Sequence, residues 1–246
     1  ASSDPNLQNI PIKTSEGRKV REAFIAKKGH KILSADYSQI ELRIMAHLSK
    51  DERLINAFKN NEDIHTITAS EIFNCAIDKI TSEQRRYAKV INFGLIYGMG
   101  VYGLAKNLGI DRIAAQNYIE RYFMKYPSVR HYMEHTKEEA RRNGYIETIF
   151  GRKLWIPEIN GSNGLRRAAA ERAAINGPMQ GSAADLIKMA MIDVSKWIKN
   201  NDDINGIMIM QVHDELVFEI PDAEVENFNL NIKKIMENIA TLDIPL

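Results

Sequence analysis

The chain has 246 residues and a single cysteine, Cys75, which excludes a disulfide framework and fits a reducing compartment. Its apolar runs are far short of a membrane span, and the opening ASSDPNLQNIP has neither the basic stretch nor the apolar core of a secretory leader. The expectation is a soluble intracellular protein of one large or two small domains.

A net charge of +1 conceals two opposed regions: residues 81–153 carry 13 Lys and Arg against 7 Asp and Glu, and residues 202–246 carry 2 against 10. A basic middle and an acidic end point to a polyanion on one surface and a metal ion on another, over a background of solvated faces.

Residues 1–20 read as loop, with Pro5 and Pro11, and residues 20–25 and 31–35 read as short strands around Gly29. The second of these runs into Asp36. From Ser38 the apolar residues Ile40, Leu42, Ile44, Met45 and Leu48 take up a helical spacing, and Ser38 with Glu41 has the spacing of a capping box. Helical segments follow at 51–59, 65–72 and 82–97. In the third, Arg85, Lys89 and Phe93 recur every fourth residue, so two cations and a ring share one face, with Tyr97 one turn further on. On spacing alone, a solvated basic face over a core phenylalanine has the same pattern. Gly94, Gly98 and Gly100 make the far end of this segment supple.

Residues 113–125 and 128–143 are amphipathic helices parted at Pro127, and residues 145–150 and 154–156 form a small hairpin about Gly151. Residues 165–175 are a basic helix that Gly177 and Pro178 end. The next helix builds a core face from Ala183, Leu186, Ile187, Ala190 and Val194. Residues 223–240 are a last helix before an extended 242–246. Strands at both ends, with helices from about residue 44 to 164 between them, make an α+β chain: a largely antiparallel sheet with a helical insertion.

The sheet acquires chemistry at residues 211–219, QVHDELVFE. Apolar residues flank a tight polar turn, which reads as a hairpin with Asp214 and Glu215 at its tip. Acids there are commonly solvated turn residues. The strand ending on Asp36 changes that reading, because two carboxylates ~4 Å apart repel by about 4 kcal/mol at an effective dielectric of ~20 unless a cation joins them. Oxygen ligands without a Cys or His cluster point to Mg²⁺, which shares its shell with phosphate.

Three stretches carry a resemblance: DYSQIELR at 36–43, RRYAKVINFGLIYG at 85–98 and QVHDELVFE at 211–219. In order and spacing they resemble motifs A, B and C of the family A DNA polymerases, the bacterial DNA polymerase I group. DPNLQNIP, GRKLWIPEI and RRAAAERAAINGPMQGSAAD extend the likeness over essentially the whole chain. The resemblance implies a palm in residues 1–43 and 165–246 and fingers in residues 44–164, with no thumb, 5′-nuclease or proofreading domain, hence a palm-plus-fingers fragment.

It also implies template-directed nucleotidyl transfer from a dNTP to a primer 3′-hydroxyl, in DNA repair or replication. Asp36 and Asp214, with the Tyr37 carbonyl, would hold two Mg²⁺ ions that activate the hydroxyl and neutralise departing pyrophosphate, with Glu215 nearby. Arg85 and Lys89 would grip the triphosphate, Lys89 also donating a proton to pyrophosphate, and Phe93 and Tyr97 would lie against the sugar and bases. Glu41 becomes a steric gate under the sugar. Gln39 and His213 fall at the nucleotide, His213 also meeting the primer–template together with Arg172, Asn176 and Gln180. The implied partners are primer–template DNA and dNTPs, with no membrane, for a monomer in a bacterial cytoplasm beside the nucleoid. The alternative is a nucleic-acid-binding remnant without chemistry, against which the paired carboxylates speak, since they repel DNA phosphates.

Overall fold

The computed structural model describes residues 10–11 and 14–246, and the remainder of the loop read at the start of the chain lies outside the described residues. The described residues are helix-rich with two small antiparallel sheets, and the chain divides into two compact units. One holds the described residues up to Ser38 together with Leu186–Thr241; the other holds Gln39–Asp185 and Leu242–Leu246. Among the described residues no helix is long and apolar enough to cross a membrane.

The first unit opens on helix α1 (Ser15–Glu22), where the sequence pattern predicts a strand from residue 20. Local chemistry favours the helix. The Thr14 hydroxyl accepts the Gly17 amide at 3.0 Å, Glu16 lies in the first turn and Lys19 and Arg21 in the last, as the helix dipole prefers. The apolar residues behind the strand reading, Val20, Phe24 and Ile25, are exposed and bury no sheet face.

Strand β1 (His30–Asp36) then pairs antiparallel with β5 (Glu215–Pro221), which pairs on its other edge with β4 (Ile207–Val212). The central strand, β5, buries Leu216, Phe218 and Ile220 completely. After a short 3-10 turn, helix α10 (Val225–Glu237) lays Phe228 against Phe218, the rings meeting edge-on with centroids 5.3 Å apart, and Trp197 meets Phe228 in the same way at 5.2 Å. The register of β1 on β5 runs from His30 opposite Pro221 to Asp36 opposite Glu215, so it delivers the end of β1 to the β4–β5 turn.

The second unit is helical. Helix α2 (Ile40–Ser49) buries Leu42, Ile44, Met45 and Ala46. Its N-cap is Gln39, a residue with φ +54° and no side-chain capping bond. The capping box expected at Ser38 and Glu41 is therefore corrected: the left-handed backbone at Gln39 starts the helix one residue later, and Glu41 no longer occupies the third helical position that the box requires. Helices α3 (Glu52–Lys59) and α4 (Ile64–Phe73) start on the carboxylates of Asp51 and Asp63. Helix α5 (Ser82–Ile96) starts on a reciprocal box between Thr81 and Gln84. A further helix, α6 (Val101–Leu108), not foreseen after the glycines, buries Leu104, Ala105 and Leu108; α7 (Arg112–Lys125) and α8 (Pro127–Asn143) follow.

Strands β2 (Tyr145–Glu147) and β3 (Lys153–Trp155) form the small hairpin, which precedes helix α9 (Gly164–Lys199). Here the expectation of two helices is overturned, because α9 runs through Pro178 without ending. A proline in a helix interior removes one hydrogen bond and crowds the carbonyl four residues back, a cost of about 3 kcal/mol. Burial offsets it: Ala174, Ile175, Met179 and Ser182 on either side are almost fully enclosed. Gly177 serves packing rather than termination, since a Cβ there would stand 2.6 Å from Ile146 Cδ1 on the hairpin. Residues 242–246 form no strand; the Pro245 carbonyl accepts from Arg43 at 2.7 Å, and Asp243 pairs with Lys50 and with His47 at 2.9 Å.

Candidate active site

In the first unit three carboxylates converge. Asp36 ends β1 opposite Glu215, and the Tyr37 amide donates to the Asp214 carbonyl at 3.3 Å, tying the strand end to the hairpin turn. That turn is two residues long, with His213 at φ +53°, a left-handed conformation that a non-glycine residue adopts at a cost. The Gln211 carboxamide donates to the His213 carbonyl, and the Ser34 hydroxyl of β1 donates to Glu215 at the start of β5. Tyr37 is itself buried and its phenol donates to the Met236 carbonyl at 2.9 Å, so its ring anchors α10 while its backbone stays with the acids. Partial burial, then the charges of Asp214 and Glu215, push the Asp36 carboxyl up to about 6.

Among the described residues no cluster of three or more His, Cys, Asp or Glu side chains is arranged to hold a metal ion. A hard cation held by one or two carboxylates, completing its shell with water and phosphate, is compatible with that donor set.

In the second unit the cations lie along α5. Arg85 is held by Asp63: Nε donates to Oδ2 at 2.6 Å and a terminal nitrogen to Oδ1 at 3.3 Å. Asp63 also caps α4 through the His65 amide and accepts from the Thr66 hydroxyl at 2.6 Å. Although burial opposes it, these donors hold the Asp63 carboxyl down at about 2. Lys89, one turn beyond Arg85, is exposed and makes no ion pair among the described residues. Phe93 and Tyr97 continue the line with centroids 6.3 Å apart.

Past Tyr97 the chain turns at Gly98, with φ +75°, where a Cβ would press within 3.3 Å of Arg172 Cγ, so the end of α5 and the first half of α9 meet there. Because α9 is continuous, Arg172, Asn176 and Gln180 stand at i, i+4 and i+8 on one face of a single helix. A break at Pro178 would have separated Gln180 from the other two. Among the described residues, the buried Asn176 Oδ1 and Gln39 Oε1 lack a hydrogen-bond partner.

The sequence model of DNA polymerase family A matches residues 1–246. The chain belongs to that family. DNA polymerase I of Pseudomonas aeruginosa is 54% identical over 246 residues, which are 100% of this chain and 27% of the relative. DNA polymerase I of Bacillus subtilis is 49% identical over 247 residues, 28% of its length. The chain thus spans little more than a quarter of these curated relatives. A solved structure, the POL domain of Pol1 from M. smegmatis in complex with DNA primer-template and dNTP, superposes with a TM-score of 0.95 at 46% identity, over 100% of this chain and 43% of that one.

Within this family A chain the motif reading passed over His65. It is buried, its ring lies 5.7 Å from Phe93 and its Nδ1 meets the Asn92 amide at 3.0 Å; Asn92 in turn is bonded to Thr68, which meets the Tyr126 hydroxyl. Burial, then the positive charges of Arg85 and Lys89 against Asp63, hold the imidazole down at about 4, so it is neutral at pH 7. The only signal in the sequence was its place two residues after a helix-capping aspartate.

Proposed function

We propose that this chain carries the catalytic residues of a template-directed DNA polymerase, transferring a nucleotide from a dNTP to a primer 3′-hydroxyl. The single observation that carries the reading is the acid turn. The antiparallel register of β1 on β5 sets Asp36 opposite Glu215 and the Tyr37 amide ties the strand end to Asp214, with the Asp36 carboxyl raised to about 6. Family membership and the likeness to a polymerase domain solved with primer-template and dNTP support it.

In this reading residues 1–43 and 165–246 are palm and residues 44–164 fingers. Asp36, Asp214 and the Tyr37 carbonyl would hold two Mg²⁺ ions, with Glu215 beside them. Bound there, Mg²⁺ supplies charge neutralisation at phosphate and lowers the pKa of the attacking hydroxyl. Arg85 presents a planar fork to the phosphates and Lys89 a compact charge that can give up a proton to pyrophosphate. Phe93 and Tyr97 offer faces to the sugar and the templating base, beside Gln39 and His213. Glu41 excludes a ribose 2′-hydroxyl, and the Arg172, Asn176 and Gln180 stripe follows the primer–template.

Primer extension with Mg²⁺, by a protein that carries this chain, tests the reading. Asp214→Asn is expected to bring extension to background while duplex affinity holds or rises, because a negative charge is lost; retained extension would sink the assignment.

A further inference from the structure

Of the two cations assigned to the triphosphate, one makes an ion pair among the described residues and the other does not. Arg85 is engaged by a carboxylate in a two-point ion pair, whereas Lys89 makes no ion pair among the described residues. We infer that Asp63 is a specificity-determining counter-ion, which an incoming triphosphate must displace from Arg85 before that side chain can grip it. The inference rests on the reading of Arg85 as a phosphate ligand.

The geometry makes the exchange feasible. Both partners are partly exposed, with the Arg85 side chain at 46% and Asp63 at 37% of full accessibility, so a solute can approach the pair. Asp63 would not be stranded when Arg85 leaves, because the His65 amide at 3.1 Å and the Thr66 hydroxyl at 2.6 Å remain bonded to it. An acceptor that keeps two of its donors loses a partner at low cost. The incoming ligand offers the guanidinium the same bidentate geometry with more negative charge. A weakly anchored or mispositioned nucleotide does not complete that exchange, so the pair sets a threshold that Lys89 alone does not impose.

Asp63→Asn separates charge from structure, because asparagine caps a helix as well as aspartate. Asp63→Ser, also a competent cap, serves as a second variant, and melting temperatures report that α4 stays folded. Binding of a fluorescent deoxynucleoside triphosphate analogue is read by titration, in the presence of Mg²⁺. Both variants are expected to tighten Kd about threefold, the scale of an exposed ion pair. The gain should vanish in an Arg85→Ala background and persist in a Lys89→Ala background. Unchanged or weaker binding on Asp63→Asn overturns the inference, as does an equal gain with Arg85 absent, which would mean only a general charge effect. If Arg85→Ala itself leaves Kd unaltered, Arg85 is not a phosphate ligand and the underlying reading falls with it.

Discussion

Two aspartates of this chain, drawn from the same ordinary carboxylate range, are pulled in opposite directions. Asp36, among Asp214 and Glu215 at the end of β1, is raised to about 6, and Asp63, gripped by Arg85 and two local donors at the start of α4, is lowered to about 2. The first is a local conflict that the protein leaves unresolved, and the second is one it has already resolved. Under the proposed function, a cluster of like-charged carboxylates is placed for a ligand that brings its own positive charge. A carboxylate satisfied by a fork and a cap is placed for structure, and it yields only to a stronger anion.

The comparison breaks first at the acid turn. Asp36→Asn is expected to abolish primer extension, the largest effect of all, and at the same time to raise the melting temperature, since it removes a like charge from the cluster. Asp63→Ala, which loses both a cap and an ion pair, should lower it. Calorimetry of the two variants beside the parent would show it; a fall in melting temperature for Asp36→Asn would mean that the turn is not under electrostatic strain.

A third acid, Glu41, sharpens the contrast from the functional side. With the helix starting on Gln39, Glu41 is not at the third helical position of a capping box. If Glu41 is the gate, Glu41→Ala should raise ribonucleotide use relative to deoxynucleotide by about a hundredfold or more. Side-by-side incorporation efficiencies decide this, and an unchanged ratio would remove the gate.

The pH dependence of stability is the next test. His65 has a folded pKa of about 4 against an unfolded 6.5, so the unfolded chain binds more protons between those values. Stability from the neutral imidazole is complete above pH 6.5 and is lost as pH falls toward 4, by at most roughly 3 kcal/mol. Asp63, lowered to about 2, contributes stability that is present above pH 3.8 and lost below it. Asp36 works in the reverse sense: raised to about 6, it lets stability recover as pH falls from 6 toward 3.8. Melting curves of His65→Gln, which cannot titrate there, should lack the loss between pH 6.5 and 4; a curve parallel to the parent's would contradict the assignment.

The smallest effect calibrates the others. Asp111 caps α7 by accepting the Ala114 amide at 2.8 Å, and no cation pairs with it among the described residues. Asp111→Ala should cost about 1 kcal/mol, the ordinary worth of an N-cap. Denaturant titration of this variant against Asp63→Ala measures how much of Asp63 is cap and how much is ion pair.

Much of the molecule was legible in the residues themselves. The β4–β5 hairpin with acids at its tip, the strand reaching Asp36, most of the helices of the second unit and the cation stripe on α5 all depend on spacing and capping within a few positions, which is information that neighbouring residues carry. The family was legible for the same reason, since its motifs are contiguous. What the sequence could not supply depended on residues far apart. Pro178 was read as a stop because the local rule says so, and α9 continues because burial on both sides outweighs one lost hydrogen bond. Only the fold could decide that Arg85 has an acid partner 22 positions away and that His65 faces Phe93. Nor could an amino-acid string tell two aspartates apart, because the pKa of a carboxyl group is a property of the charges and donors that tertiary structure gathers around it.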